Sequence, residues 1–500
     1  MAAHGANQTH KGYPVTVKYT QLFINGEFVD AISGKTFETY DPRTGDVIAR
    51  VAEAGKEDVD LAVKAARNAF DNGPWPRMSG YERGRIMSKY ADLVEQNMEE
   101  LAALETLNNG KPVAIARLVD LPTCSKVLRY YSGAADKIHG QTLKMAGPYQ
   151  GYTLHEPIGV VGLIVPWNFP LVMFFNKISP ALASGCTLVL KTAEQTPLTA
   201  LYCANLAREA GIPPGVLNVL SGFGDPAGAA ISHHMDIDKV SFTGSTETGR
   251  KIMEAAAKSN LKRVTLELGG KSPLIIMNDA DVEEAVNLAH QAIYFNMGQA
   301  CIAASRIYVQ EGIYDEFVKK VVERAKKQVI GDPFTDGVHQ GPQINKTQFD
   351  RILQYIEYGK QEGATLLTGG NRIGDKGFYI EPTIFSHVKE DMKIGKEEIF
   401  GPVMSIFTFK SIEEAIELGN KTTYGLAGGI VTKNIDVANR LSRSIRAGIV
   451  WINCYAVFDG DAPFGGYKMS GIGRENGLYD LSNYLQVKCV ITPLHHSPWL

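Results

Sequence analysis

The chain has 500 residues, of which 44% are hydrophobic and 21% charged, with a formal net charge of −3. That length exceeds one ordinary core, so two or more globular domains are expected. The small net charge gives no electrostatic case for nucleic acid or an anionic membrane, and the longest apolar run, residues 158–166, falls far short of a membrane span.

In chain order, residues 1–18 read as a disordered arm. They carry His and Lys but no Arg and have no apolar core, which argues against a secretory signal or an Arg-rich transit peptide. Residues 23–29 predict a hairpin turning at Asn25-Gly26. A helix follows on the stripe Val59, Leu61, Ala62, Val63, Ala66 and Phe70, closed by Gly73. A second helix is expected from about Tyr81 to Leu107, stopping at Asn108-Asn109-Gly110.

From residue 157 strands and helices alternate. Strands are expected at 158–165, 187–191, 216–220, 239–243 and 263–268. Helices are expected at 170–184, 198–210, 226–233 and 246–258. Apolar strands alternating with helices imply a parallel sheet covered on both faces, with ligands at the carboxyl ends of the strands. Polar or glycine-rich segments sit at four of those ends: 166–168, 191–194, 243–249 and 267–270. A helix-like segment, 282–295, comes next. A second alternating set, from 306–310 through 314–329, 404–409, 412–420, 428–432 and 437–445 to 448–453, predicts another α/β domain. The run 486–492 reads as an edge strand able to pair with another subunit.

Six cysteines, Cys124, Cys186, Cys203, Cys301, Cys454 and Cys489, form no Cys-x-x-Cys pair and no metal-spaced cluster, so no metal is expected. Few cysteines on a long chain suit a reducing compartment, and the last four residues are neither a retention nor a peroxisomal signal. The cytoplasm is the simplest reading.

Cys301 follows a Gly298-Gln299 break; a nucleophilic cysteine there needs electropositive or hydrogen-bonding surroundings. Glu267 ends an apolar strand and could act as a general base in a cleft. Asn168, between Pro166 and Pro170, presents a rigid amide suited to an oxyanion. Gly244 and Ser245 open a strand-to-helix loop whose amides suit a pyrophosphate. Lys191 and Glu194 follow another strand; a Lys can bond ribose hydroxyls, and a Glu can accept from the 2′-OH while repelling a 2′-phosphate. Taken singly, each has a plainer reading: a buried thiol, a capping glutamate, an Asx turn, a strand–helix turn, solvated charges.

Together, Pro-Trp-Asn-Phe-Pro, Phe-Thr-Gly-Ser-Thr-Glu-Thr-Gly, Leu-Glu-Leu-Gly-Gly-Lys-Ser-Pro, Gly-Gln-x-Cys and Glu-Ile-Phe-Gly-Pro-Val resemble the aldehyde dehydrogenase superfamily from about residue 20 to the end. The match is to the class 1/2 type. The closing segment from Thr492 is similar to the plant cytosolic branch, which acts on acetaldehyde and on hydroxycinnamaldehydes such as coniferaldehyde and sinapaldehyde. The resemblance implies an α/β fold with two parallel-sheet domains, a Rossmann-like NAD-binding one (1–139 and 160–270) and a catalytic one (271–470), with a small β oligomerisation element (140–159 and 471–500). It implies NAD-dependent oxidation of an aldehyde to the acid by a homotetramer.

It makes Cys301 the nucleophile, Glu267 the base, and the Asn168 amide with the Cys301 N–H the oxyanion hole. It puts Val165, Trp167, Asn168, Lys191, Glu194, Gly224, Ser245 and Leu268 at cofactor positions, with Gln348, Glu398 and Phe400 from the second domain. Lys177 and Glu475 match a proton route. The entry funnel draws on Phe169, Met173, Phe174, Phe295, Ala300, Ile302, Val457, Phe458 and Phe464, an apolar and aromatic lining suited to aryl, cinnamyl or long polyene aldehydes. Many relatives carry Cys where this chain has Ala300, which alters the pocket beside the nucleophile. Two other outcomes stay open: acyl transfer to coenzyme A, and a catalytically silent crystallin-like role.

Overall fold

The computed structural model describes residues 8–10 and 13–495. Two large sheets organise the chain. In the first, the strand order is Gly471–Ile472, Arg263–Glu267, Lys239–Thr243, Val160–Ile164, Thr187–Lys191, Leu217–Leu220, Leu22–Ile24, Glu27–Val29. The five strands from Arg263–Glu267 to Leu217–Leu220 run parallel. Antiparallel strands flank them. The second sheet orders Thr365–Thr368, Thr383–Ser386, Val403–Phe409, Arg306–Gln310, Pro273–Ile276, Ala427–Val431, Ile449–Ile452, parallel throughout except at Thr365–Thr368.

Both sheets are covered on two faces, as the continuous apolar runs require. Leu188 and Leu190 pack in one core and Val189 in another, because alternate side chains point to opposite faces. Leu274 and Ile276 divide from Ile275 in the same way in the second sheet. Most boundaries lie where the capping chemistry puts them. Pro170 opens the helix Pro170–Ser184, and Gly185 closes it at φ 90°. The hairpin turn at Asn25-Gly26 takes φ 53° and 83°, the two positive angles of a tight primed turn.

Two expectations change, and two strand pairings add to the reading. The long second helix is two, Gly80–Gln96 and Met98–Asn109. Asn97 breaks it, its side-chain Nδ2 donating to the Leu93 carbonyl at 2.8 Å, the local competition that makes Asn a helix terminator. Within the expected arm, Gln8–His10 pairs antiparallel with Tyr13–Val15, while residues 1–7 and 11–12 lie outside the described residues. The strand Leu485–Pro493 pairs with Tyr149–Pro157 of its own chain, in register from Leu485–Pro157 to Pro493–Tyr149. Thr142–Lys144 completes this third, three-stranded sheet. Lastly, Gly471–Ile472 belongs to the first large sheet, pairing with Glu267 and Leu266. Residues 496–500, which include most of the closing segment, lie outside the described residues.

Candidate active site

Cys301 follows a turn of unusual backbone. Asn296, Met297 and Gly298 all have positive φ, 50°, 58° and 73°. Asn tolerates this region and Gly is free in it, but at Met297 it costs about 1–3 kcal/mol. Surrounding contacts hold the turn. A β-carbon at Gly298 would lie 2.1 Å from the Gly401 carbonyl oxygen. The Gln299 side chain accepts from Ile344 N at 3.0 Å. Tyr455 OH donates to the Ile302 carbonyl at 2.7 Å.

The other segments converge on this turn. Asn168 is 5% exposed, and its Nδ2 donates to the Gln299 carbonyl at 3.0 Å. An amide carries two N–H donors, so this bond sets its orientation and leaves a donor for a ligand. Asn296 Nδ2 in turn donates to the Asn168 carbonyl at 3.0 Å. Glu267 is 3% exposed, and its Oε1 has no hydrogen-bond partner among the described residues. Just beyond Leu268, positions 269 and 270 are glycine for a steric reason. A β-carbon would sit 2.3 Å from Glu398 Oε2 at the first and 2.3 Å from the Cys301 carbonyl oxygen at the second.

The electrostatics depart from the sequence expectation. Burial, followed by the Glu475 charge, lifts the Glu267 carboxyl well above the usual range; Lys177 opposes this, Glu398 adds to it, and contact with Cys301 opposes it. Burial, then Glu267 and Glu398, likewise raises the Cys301 thiol well above its ordinary value. Carboxylates therefore dominate the charge around Cys301 among the described residues. The protein by itself favours a neutral thiol beside a neutral acid.

Behind Glu267 lies a buried ionic string. Lys177 Nζ bonds Glu475 and donates to Ser241 Oγ at 2.9 Å. Glu475 also pairs with Phe464 through two backbone bonds, at 2.8 and 2.6 Å. A small cavity touches Glu267, Phe464 and Glu475 together.

At the carboxyl ends of the first sheet, Lys191 is 3% exposed and Nζ donates to the carbonyls of Thr192 and Gly222, both at 2.7 Å. One of its three N–H donors remains. Burial depresses the ammonium to about 8. Glu194 lies close by in sequence and half-buried. Ser245 caps the helix Thr246–Lys258, accepting from Thr248 N at 3.2 Å. Gly224 is exposed at the start of a wide turn, Gly224–Gly228. Leu268 packs so closely on that helix that a β-carbon at Gly249 would lie 2.7 Å from it. Trp167 meets Phe400 edge-on at 5.3 Å, and Val165 is 5% exposed. Gln348 Nε2 is committed to the carbonyls of Ile399 and Phe400, at 3.1 and 2.9 Å, so it fixes that segment. Glu398 accepts from Gly270 N at 2.9 Å, and burial pushes its carboxyl up to about 7. A free lysine donor, a capped helix N-terminus and a half-buried carboxylate form a donor set that fits a dinucleotide.

Of the funnel residues, Phe169 stacks on Phe295 at 5.8 Å, and Phe458 meets Phe464 edge-on at 5.7 Å. Val457 is 59% exposed; Ala300 and Ile302 are nearly covered, at 4% and 6%. Phe174 is a correction. It is fully buried, T-stacked on Phe175 in the core. The helix Pro170–Ser184 opens only along Val172, Met173 and the preceding Phe169, with Asn176 at 9%. That spacing of three and four is one helical face, and Phe174 lies off it.

The aldehyde dehydrogenase family model matches residues 28–490. The chain belongs to the aldehyde dehydrogenase family. It is 61% identical over 485 residues to aldehyde dehydrogenase family 2 member C4 of Arabidopsis thaliana, covering 97% of each chain. It is 59% identical to the mitochondrial benzaldehyde dehydrogenase of Antirrhinum majus, covering 97% of this chain and 91% of that one. The solved NAD+ complex of a Bacillus cereus aldehyde dehydrogenase superposes with a TM-score of 0.94 at 53% identity, over 95% of this chain and 97% of that one. This aldehyde dehydrogenase is NAD-dependent, and its two α/β domains and small β element are those of its solved relatives.

Proposed function

We propose that the enzyme oxidises an aldehyde to its carboxylic acid on Cys301, with Asn168 as oxyanion donor and Glu267 as the hydrolytic base. The observation that carries this is the bond from Asn168 Nδ2 to the Gln299 carbonyl, two residues before the nucleophile. It ties the amide to the thiol's own turn.

The sulfur of Cys301 attacks the aldehyde carbon as its proton passes to the ionised form of Glu267, which hands it on to Glu475 before the hydrolytic step. The carbonyl oxygen takes the electron pair and is stabilised by the second N–H of Asn168 and the backbone N–H of Cys301. NAD, when bound, supplies a positive charge and the hydride acceptor. Loss of hydride leaves a thioester on Cys301. Glu267 then accepts a proton from water as the oxygen attacks the thioester carbon, and the sulfur departs as thiolate. Lys177 and Glu475 lead the proton from Glu267 toward the surface. A buried base at this point favours water over coenzyme A as acyl acceptor. Stopped-flow NADH formation with Glu267→Gln tests the scheme: one burst followed by a stall is expected, and steady turnover overturns it.

The aromatic walls around Phe169, Phe295, Phe458 and Phe464 support apolar or aryl aldehydes, coniferaldehyde and sinapaldehyde among them, with acetaldehyde as a small substrate. The name of the benzaldehyde-oxidising relative points the same way. Glu194 supports NAD over NADP. The cofactor unit is placed at 1–139 and 160–270, the catalytic unit at 271–470. The strand Leu485–Pro493, exposing Val487 at 64% and Ile491 at 53%, supports an oligomerisation role and a homotetramer, which sedimentation tests. No helix among the described residues is long and apolar enough to cross a membrane. A cytoplasmic location is proposed, although relatives include mitochondrial proteins; fractionation decides.

A further inference from the structure

The end of the helix Met98–Asn109 is polar yet buried. Glu105, Asn108, Asn109 and, just past Gly110, Lys111 are each 1% exposed or less. Lys111 Nζ lies 2.5 Å from Asp120 and 3.7 Å from Glu105. Asp120 is itself 1% exposed, at the end of a wide helical turn, Ala116–Asp120. Three buried charges are a poor way to gain stability, since well-packed apolar residues do as well. Their contacts converge elsewhere. The Lys111 ammonium sits 4.4 Å from the centre of the Phe169 ring, and Phe169 stacks on Phe295. Glu105 accepts from Leu171 N at 3.2 Å. Asn109 Nδ2 donates to the Trp167 and Asn168 carbonyls at 2.8 and 3.4 Å. One buried turn therefore grips residues 167–171 by carbonyl, ring and amide.

We propose that Lys111 is a positioning residue for the aldehyde: pinned by Asp120 and Glu105, its ammonium fixes the Phe169 ring and so the aromatic wall beside the oxyanion amide. This rests on the reading of Phe169 as part of the substrate wall. A cation over a ring face is directional, and in a desolvated site it is strong. An apolar neighbour would fill the space but leave the ring free to slide.

The test is a double-mutant cycle with benzaldehyde and acetaldehyde as substrates. Lys111→Met with Asp120→Asn removes the cation and one of its partners. The remaining Glu105, which burial already pushes up to about 7, can stay protonated. Unaltered NAD binding shows that the variant is folded. The expected loss in kcat/KM for benzaldehyde is about tenfold, carried by KM, and several-fold larger than for acetaldehyde. In a Phe169→Leu background the same pair should add no further loss. Equal losses on both aldehydes, or losses that add in the Phe169→Leu background, overturn the proposal. Should the pair not fold, Lys111→Arg keeps both carboxylates compensated but shifts the cation on the ring. It carries the same selectivity change at smaller amplitude, and unchanged selectivity overturns the proposal. Wild-type NADH formation from acetaldehyde tests the dehydrogenase reading separately.

Discussion

A β-carbon on Gly270 would lie 2.3 Å from the carbonyl oxygen of Cys301. The obstacle is backbone, which cannot swing aside as a side chain can. Gly270→Ala should therefore displace the nucleophile's turn and cost about 1–3 kcal/mol of stability. Thermal unfolding and NADH formation measured together check this. An alanine variant with wild-type Tm and turnover would show that the contact is not as tight as described.

Removing the proposed nucleophile separates binding from chemistry. Cys301→Ala should bind NAD as before and form no NADH with any aldehyde. Turnover in that variant would remove Cys301 from the scheme.

Asn168→Ala deletes the proposed oxyanion donor and the bond to Gln299. A loss of about 10²–10³ in kcat is expected, ~2.7–4 kcal/mol of barrier. An effect confined to KM would mean that the amide binds substrate without favouring the transition state.

The pH dependence follows from the two raised groups. Cys301 and Glu267 both resist ionising because of burial and facing carboxylates. Turnover should therefore climb through the neutral and alkaline range, instead of levelling near pH 5 as an ordinary carboxylate at about 4.3 would allow. Glu267 raises the thiol's pKa, so replacing it with Gln removes a repelling charge. The midpoint of iodoacetamide alkylation of Cys301 should then fall to lower pH. A midpoint that stays or rises would contradict the coupling.

Glu194 offers a cofactor test. Its charge would oppose a 2′-phosphate, so Glu194→Gln should improve kcat/KM for NADP about tenfold while weakening NAD modestly. Unchanged NADP kinetics would place the carboxylate away from the ribose.

Much of the fold was legible because punctuation and pattern agreed. Pro170 and Gly185 bracket one helix, and Gly211 closes Leu198–Ala210 at φ 104°. The break at Asn97 was hidden because apolar periodicity continues through it. Phe174 was misplaced because its helix is buried on nearly every side, so no polar face marks which side is open. The residues around Cys301 could be found because glycines and prolines at strand ends are conspicuous. Glu105, Lys111 and Asp120 could not, since a charge in or beside a helix looks the same in sequence whether it faces water or the interior. The helix Lys346–Gln361 and the strand Pro273–Ile276 also escaped, the second being only four residues long.

The backbone pairing of Phe464 with Glu475 gives the molecule an unusual economy. In the proposed scheme, the wall that an incoming aldehyde brushes and the carboxylate that receives an outgoing proton are opposite sides of this one rung. A substitution chosen to reshape the entrance at Phe464 is thus also an adjustment to acid–base timing. Under that scheme, changing what this enzyme accepts and changing how fast it clears its acyl group become a single evolutionary move.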